Sequence, residues 1–284
     1  MALELTRLPG CIRIAQPRDL NVVTSLYMEQ ATQIPEIAWC YPYWDRSEAC
    51  FDAFHAFVYN DFLTRVQGHG GPNNNRWLAV YEDQFGRVTG FVAWNVRHRV
   101  LRGARAPAPG FSVGVSRGDM ARIRGQARQN AWALAGRDGV YYDEFRSNVM
   151  ELYHERAARE MLGRRGANGA QNGVVTVELV CVAQERKRAG IGAELVAFVV
   201  GGTRRSGYYV MTEVSDTGIH GWLQKLGFSQ LSAASAMEPD RHDQVDRREA
   251  FVIAVWGLLP WQNVRVKSGG VWQDQPDSER AAAY

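Results

Sequence analysis

A strand, a glycine-containing basic loop and an amphipathic helix follow one another in this sequence, and this succession constrains the fold most. The run VVTVELVCV, residues 174–182, is rich in β-branched residues and too short for a typical helix, so it predicts a strand. After Gly190 the apolar residues recur at helical spacing, which predicts a helix that begins at the glycines and runs towards Gly201. The stretch QERKRAGIG, residues 184–192, therefore joins the end of a strand to the beginning of a helix.

The composition of this loop suits an anion. The first amides of a helix lack internal acceptors, and the helix dipole adds partial positive charge beside them. Arg186, Lys187 and Arg188 add formal charge, while Gly190 and Gly192 carry no Cβ that would keep a phosphate from the backbone. A diphosphate fits this description, and a plain strand-to-helix turn is the alternative.

Two other phosphate-binding loops do not fit the sequence. A dinucleotide fingerprint needs a third glycine, as GxGxxG, and position 195 is Leu. A nucleoside-triphosphate loop ends in GK[ST], whereas Ala193 and Glu194 follow Gly192. The loop therefore belongs to neither of these nucleotide-binding classes.

The stretch KRAGIG, residues 187–192, resembles the acyl-CoA loop (Q/R)xxGx(G/A) of the Gcn5-related N-acetyltransferase superfamily. Lys187 stands where Gln or Arg is usual, which preserves a cation. Other segments resemble the family in the same order: CIRIAQPRDLNVVTSLY the first strand and helix, RWLAVYEDQFGRVTGFVAWNV the second and third strands with a turn at Gly86, and YYVMTEVSD the fifth strand. The segment HGWLQKLGF resembles the helix with a glycine C-cap before a strand that begins at the Phe, and AFVIAVWGL resembles a last strand. The pattern is most similar to that of members from filamentous fungi.

The resemblance implies an α/β fold with a mixed central sheet, splayed fourth and fifth strands, and flanking helices. We expect one such domain over residues 1–265. Residues 101–172 are longer than a turn between neighbouring strands, and we expect a helical insertion there that acts as a lid or a dimerisation element. The polar residues 266–284 predict a mobile tail.

The resemblance also implies acetyl-CoA as the cosubstrate, without a metal. The pantetheine arm would pass between the fourth and fifth strands, and a backbone amide near Val182 would donate to the thioester carbonyl. CoA contacts are implied for residues of the fourth strand, the loop, the start of the helix and the region after the fifth strand: Val180, Val182, Lys187, Arg188, Ala189, Gly190, Ile191, Gly192, Ala193, Ser215 and Trp222.

Acetylation of an amine requires its neutral form, whereas an alkylamine has a pKa of about 10.4. Glu178 is the first candidate base, because it shares a face with Val180 and Val182 in an otherwise apolar strand and burial would raise its pKa. The alternative is a structural ion pair with an arginine of the insertion. His220 and Glu213 are further candidates, with a surface histidine and a solvated strand end as their alternatives.

The acceptor is predicted to meet aromatic residues in IAWCYPYWD, with ordinary core packing as the alternative: Trp39, Tyr41, Tyr43 and Trp44. Many members of the family use the Tyr of LYxKxGF as the general acid, and Leu223 stands at that position here. A CoA-binding module that has lost transfer is therefore an alternative to an enzyme. Tyr208 and Tyr209 are near in sequence, but neither is assigned the role of the acid.

Composition excludes several other classes. A net charge of +3 is too small to indicate nucleic acid, and four irregularly spaced cysteines predict neither a disulfide scaffold nor a metal site. We expect no secretory signal, because residues 1–14 contain no long apolar run behind a basic start, and no stretch of the sequence approaches 18 apolar residues. We expect a soluble cytoplasmic N-acetyltransferase whose acceptor is a small-molecule amine, with a peptide acceptor as the alternative. A homodimer is compatible with the sequence, whereas nucleic-acid and membrane partners are not expected.

Overall fold

The computed structural model describes residues 10–98, 173–258, 265–268 and 271–274, together with positions 126 and 129. Short gaps fall at 32, 35–36, 39–40, 42, 68–74, 205–207, 215–216 and 238–248. The predicted helical insertion lies outside the described residues apart from those two positions. In the described ranges, no helix combines the length and the apolar character that crossing a bilayer requires.

The helices and strands follow the predicted order along the chain. They are β1 (Cys11–Ile14), α1 (Leu20–Ala31), α2 (Glu48–Gln67), β2 (Arg76–Glu82), β3 (Val88–His98), β4 (Gly173–Val182), α3 (Ile191–Arg204), β5 (Tyr208–Val214), α4 (His220–Lys225), β6 (Ser229–Met237), β7 (Glu249–Leu258), β8 (Arg265–Ser268) and β9 (Val271–Asp274). Short 3₁₀ turns precede α1, α3 and α4.

A mixed seven-stranded sheet organises the fold, with the strand order β1-β2-β3-β4-β5-β7-β6. Neighbouring strands are antiparallel except β4 and β5, which are parallel. A parallel pair needs a long crossover connection, and α3 provides it. The predicted mixed α/β sheet with flanking helices is thereby confirmed.

Both faces of the sheet are covered by helices. Successive side chains of a strand point to opposite faces, so each strand contributes to both. In β2, Leu78 and Val80 pack with α1 and α2. Ala79 and Tyr81, on the other face, pack with α3. The near-continuous apolar composition of the central strands follows from this two-sided burial.

The sheet opens between β4 and β5. Their parallel pairing runs from Gly173↔Tyr208 to Val177↔Thr212, where the Thr212 hydroxyl donates to the Val177 carbonyl at 3.0 Å. Beyond this point β4 continues to Val182, whereas the end of β5 pairs with β7. The predicted splay of the fourth and fifth strands is therefore present, and we call the point where they separate the fork.

A β-bulge lies at the fork. The β3–β4 register passes from Ala93↔Leu179 to Trp94↔Val177, so Glu178 is the extra residue. The ladder then continues regularly to His98↔Gly173.

The C-terminal region supplies two more strands to the sheet. The strand predicted to begin at Phe228 is β6, the predicted final strand is β7, and the two pair with each other. Within the predicted tail, residues 266–268 and 271–274 belong to the antiparallel pair β8–β9, and its mobility stays a prediction.

Candidate functional site

A cavity of about 650 Å³ begins at the fork and extends to the loop before α3. Its walls come from the C-terminal half of β4, the end of β5, the C-terminal part of α1, the N-terminus of α3 and α4. The volume is within the range of small-molecule sites.

The loop is shaped to present backbone amides to this cavity. The first helical bonds of α3 run from the amides of Ala193 and Glu194 to the Gly190 carbonyl, at 3.0 and 3.1 Å. The amides of Ile191 and Gly192 precede that ladder, where helical N–H groups have no internal acceptor. Gly190 has φ +92°, a left-handed conformation that glycine adopts without steric cost. The loop therefore leaves the amides of Ile191 and Gly192 outside the helical ladder, as an anion site would require, and anion binding stays a prediction.

Three cations line the loop end of the cavity. Lys187 and Arg188 are exposed, and Arg186 is half-buried. Arg186 also lies 3.6 Å from the carboxylate of Asp83 in the β2–β3 turn. Lys187 and Arg188 are thus positioned to add positive charge to the amides of α3.

The backbone of β4 faces the cavity with one edge. The Ala183 amide donates to the Thr89 carbonyl of β3 at 2.9 Å, so it points away from the fork. The N–H and C=O groups of consecutive residues in an antiparallel strand point to opposite edges of that strand. The amides of Val180 and Val182 therefore point to the open edge, as a donor to a bound carbonyl would require.

Most positions implied for CoA binding share this cavity. Its lining includes Val180, Val182, Lys187, Arg188, Gly190, Ile191, Gly192, Ala193 and Trp222. Ala189 belongs to the same loop but is not part of that lining, and Ser215 lies outside the described residues.

Glu178 lies on the cavity wall within a network of charged side chains. Arg65 Nη2 donates to Glu178 Oε2 at 2.5 Å, and Arg65 Nε donates to Asp61 Oδ2 at 3.0 Å. Arg76 binds Asp61 through both terminal nitrogens, at 2.7 and 3.0 Å, and lies 3.8 Å from Glu178. The Arg65 side chain is only 2% exposed, whereas that of Glu178 is 27% exposed. The ion-pair alternative is therefore present, with arginines from α2 and β2, whereas the insertion from which an arginine was expected lies outside the described residues.

The charges around Glu178 reverse the expected change in its pKa. Burial raises the pKa of this carboxyl, as the sequence predicted, but the charges of Arg65 and Arg76 and the hydrogen bond from Arg65 outweigh burial. The net result is a pKa below the ordinary value of 4.5. The expectation of a raised pKa was wrong, and Glu178 is ionised at neutral pH.

This lowered pKa predicts how stability depends on pH. A carboxyl with a lower pKa in the folded state stabilises the protein above its unfolded pKa and ceases to do so as pH falls through the folded pKa. We expect Glu178→Gln to lower the free energy of unfolding at pH 7 and to differ less from the wild type below about pH 4. Urea unfolding of both proteins from pH 7 to pH 3.5 measures this. A difference that stays constant over this range would contradict it.

The other two candidate bases differ in position. Glu213 follows the last residue of β5 that pairs with β4, pairs with β7 instead, and lines the cavity at the fork. It is half-buried with a fully buried Oε1, unlike the solvated strand end that was its alternative. His220 begins α4 with its ring 5.2 Å from that of Trp256, and it is not part of the described lining. The structure thus brings Glu178 and Glu213 together with the loop but does not place His220 there.

The aromatic residues predicted to contact the acceptor lie elsewhere among the described residues. Tyr41 is buried against Phe54 and Phe57, with ring centroids 4.8 and 5.7 Å apart. Trp44 also packs on Phe54, and Tyr43 is 44% exposed. None of these three predicted residues is part of the described lining, so core packing accounts for Tyr41 and Trp44. Trp39 lies outside the described residues.

Two further cavity residues bear on the chemistry. Leu223, at the position of the usual Tyr, is buried and lines the cavity, so it supplies apolar surface and no proton. Burial raises the pKa of the Cys181 thiol to about 12, with only Lys187 opposing it. This thiol is protonated at neutral pH and is not a nucleophile. Tyr208 and Tyr209 pair with the first residues of β4, at the end of the β4–β5 ladder away from the fork.

Sequence analysis missed four residues of the site. Asp61 and Arg65 have the i, i+4 spacing of a helical ion pair, which would have been a signal. Arg76 had no distinguishing pattern. Gln30, on α1, lines the cavity and donates to the Val182 carbonyl at 3.0 Å, and nothing in its sequence context indicated this role.

Comparisons with known proteins gave structural matches alone. No family model matches the chain, and a search of curated proteins found no match. Polyamine N-acetyltransferase of Drosophila melanogaster is 11% identical with a TM-score of 0.49, covering 88% of this chain and 100% of its own. Phosphinothricin acetyltransferase of Sinorhizobium meliloti, in complex with AcCoA, is 13% identical with a TM-score of 0.44, covering 88% and 87%. Mosquito arylalkylamine N-acetyltransferase like 5b is 13% identical with a TM-score of 0.45, covering 88% and 100%.

Proposed function

We propose that this protein is an acetyl-CoA-dependent N-acetyltransferase that transfers the acetyl group directly to a small-molecule amine. The observation that carries the proposal is the single cavity that joins an anion-binding helix N-terminus to a fork between two parallel strands. A ligand with a diphosphate at one end and a reactive acyl group at the other would fit this arrangement.

The loop end of the cavity would bind the diphosphate of CoA. The amides of Ile191 and Gly192 would donate to phosphate oxygens, and Lys187 and Arg188 would add charge. The pantetheine arm would then lie along the open edge of β4 and bring the thioester to the fork. There an amide of that edge, from Val180 or Val182, would donate to the thioester carbonyl.

Transfer at the fork needs no covalent enzyme intermediate. The amine nitrogen attacks the thioester carbonyl, and the amide donor stabilises the oxyanion that forms. The C–S bond then breaks, the acetyl group stays on nitrogen, and CoA leaves as a thiolate that takes a proton from water. The thiolate is a tolerable leaving group, because a thiol has a pKa of about 8.5. The protonated Cys181 is consistent with direct transfer.

The proton of the amine would leave through Glu213. Glu178 and Glu213 follow Val177 and Thr212, the last pair between β4 and β5, so the two residues flank the fork. Glu178 is a weak base because Arg65 and Arg76 lower its pKa, but its charge favours an ammonium group. Glu178 would therefore attract the acceptor in its charged form, and Glu213 would accept its proton directly or through a water molecule.

Thiol release from acetyl-CoA, measured with a panel of small amines and peptides, tests this proposal. We expect amine-dependent release by the wild type, with small alkylamines preferred over peptides. Glu213→Gln should lower kcat roughly 10²-fold, the effect of losing a general base, with acetyl-CoA affinity within about twofold.

The matched variant is Glu178→Gln, for which we expect mainly a higher KM for cationic amines. If peptides are acetylated in preference to small amines, the acceptor is a protein or peptide and the small-amine part of the proposal is wrong. If the protein binds acetyl-CoA tightly but no amine causes thiol release, the proposed acetyltransferase activity is wrong. That result would favour the CoA-binding module that the buried Leu223 makes an alternative.

A further inference from the structure

The open edge of β4 would leave polar backbone groups without strand partners, and α1 supplies one of the missing bonds. β5 pairs with β4 only as far as Val177. Gln30 Nε2 donates to the Val182 carbonyl at 3.0 Å, across 152 residues of sequence. A side chain of α1 thus bonds to the β4 edge where a neighbouring strand would otherwise do so.

The Gln30 amide is fixed in orientation. Its Nε2 also donates to the Leu26 carbonyl of α1, at 3.3 Å. Both partners are carbonyl oxygens, and only the NH₂ end of the amide can donate to them. Both N–H bonds of Gln30 are therefore used, and the side chain links α1 to the end of β4.

The bond from Gln30 helps to fix one peptide group at the end of β4. The peptide between Val182 and Ala183 is held at both ends, by Gln30 at its carbonyl and by Thr89 at its amide. The Val182 carbonyl already accepts one hydrogen bond, and a bound carbonyl needs donors, which only the amides of the open edge supply. The amides of Val180 and Val182 are the donors that point to the cavity.

We propose that Gln30 is a positioning residue that holds the end of β4 so that its edge amides meet the acyl carbonyl in one register. This inference rests on the proposed function. Gln30 touches the strand and not the reacting atoms, so its effect passes through the backbone of β4. Acetyl-CoA carries the acyl carbonyl that these amides would bind, whereas free CoA does not.

Gln30→Met tests the inference, because Met has a similar length and cannot donate. We expect acetyl-CoA to bind about five- to tenfold more weakly and kcat to fall about tenfold, while the affinity for free CoA stays within twofold. Gln30→Glu keeps the shape but turns acceptor oxygens towards the two carbonyls, so we expect at least the same loss. Ser25→Met, on an exposed position of α1, is the matched control and should change neither affinity nor kcat.

A ligand-free measurement separates this inference from the proposed function. Hydrogen–deuterium exchange should be about tenfold faster at residues 180–183 in Gln30→Met and unchanged in Ser25→Met. Unchanged exchange there, or equal losses of affinity for acetyl-CoA and free CoA, would overturn the role of Gln30. A wild type that binds neither ligand would instead overturn the proposed function, and the exchange result would still decide whether Gln30 holds the edge.

Discussion

Gly190→Asp is expected to abolish measurable acetyl-CoA binding. Position 190 has φ +92°, and a Cβ built there meets no atom within 4 Å, so an added side chain has room but a strained backbone. The carboxylate would stand beside the amides proposed to hold the diphosphate. Charge repulsion and lost amide contacts together should cost several kcal/mol, which is a loss of affinity above about 100-fold.

Strain and charge must be separated in this experiment. Gly190→Asn is the matched control, because Asn has the shape of Asp, tolerates the left-handed conformation and carries no charge. Calorimetric titration should show a loss of about tenfold or less for Asn. Equal affinities of Gly190→Asp, Gly190→Asn and the wild type, in folded proteins, would exclude the loop as the diphosphate site.

Arg65→Met is expected to lower the free energy of unfolding by about 2–3 kcal/mol. Removing one partner of a buried ion pair typically costs about 3–5 kcal/mol, and the partial exposure of Asp61 and Glu178 reduces this figure. Both carboxylates would keep only Arg76 as a cationic partner within the network described here. Denaturant unfolding at pH 7 measures the effect.

Arg76→Met provides the comparison for this stability change. The Arg76 side chain is 21% exposed, so water can replace part of its interaction, and we expect a loss of about 1 kcal/mol. An Arg65→Met protein no less stable than Arg76→Met would show that the buried guanidinium is not essential to the network. The loss of Arg65 should also raise the pKa of Glu178, because burial would then be opposed by fewer positive charges.

Helices and strands were predictable wherever the pattern of apolar residues changes clearly from that of a strand to that of a helix. β4 was predicted as 174–182 and observed as Gly173–Val182, and α3 begins at Ile191, between the two loop glycines. β6 was predicted from the resemblance as a strand that begins at Phe228, but its length was not, because SQLSAASAM consists mainly of small and polar residues that give little strand signal. Its pairing with β7 depends on the sheet and not on its own composition.

The electrostatics of the site were not predictable in the same way. Glu178 was correctly assigned to the strand, but its partner Arg65 lies 113 residues away and reaches it because α2 packs on that face of the sheet. Likewise, the packing of Tyr41 against α2 determines which way its ring points. Sequence spacing indicates which residues share an element, whereas contacts between elements decide pKa values and cavity walls.

The pairing of β3 with β4 bears on the length of the segment that connects these two strands. It ends at His98↔Gly173, so the two ends of segment 99–172 are held side by side by the sheet itself. Each doubling of a flexible connection adds only about 0.6 kcal/mol of closure entropy. The register of β3 and β4, and with it the position of the fork, is therefore nearly independent of how many residues connect them. We therefore expect a change in the length of this connection to leave the pairing of β3 with β4 unchanged.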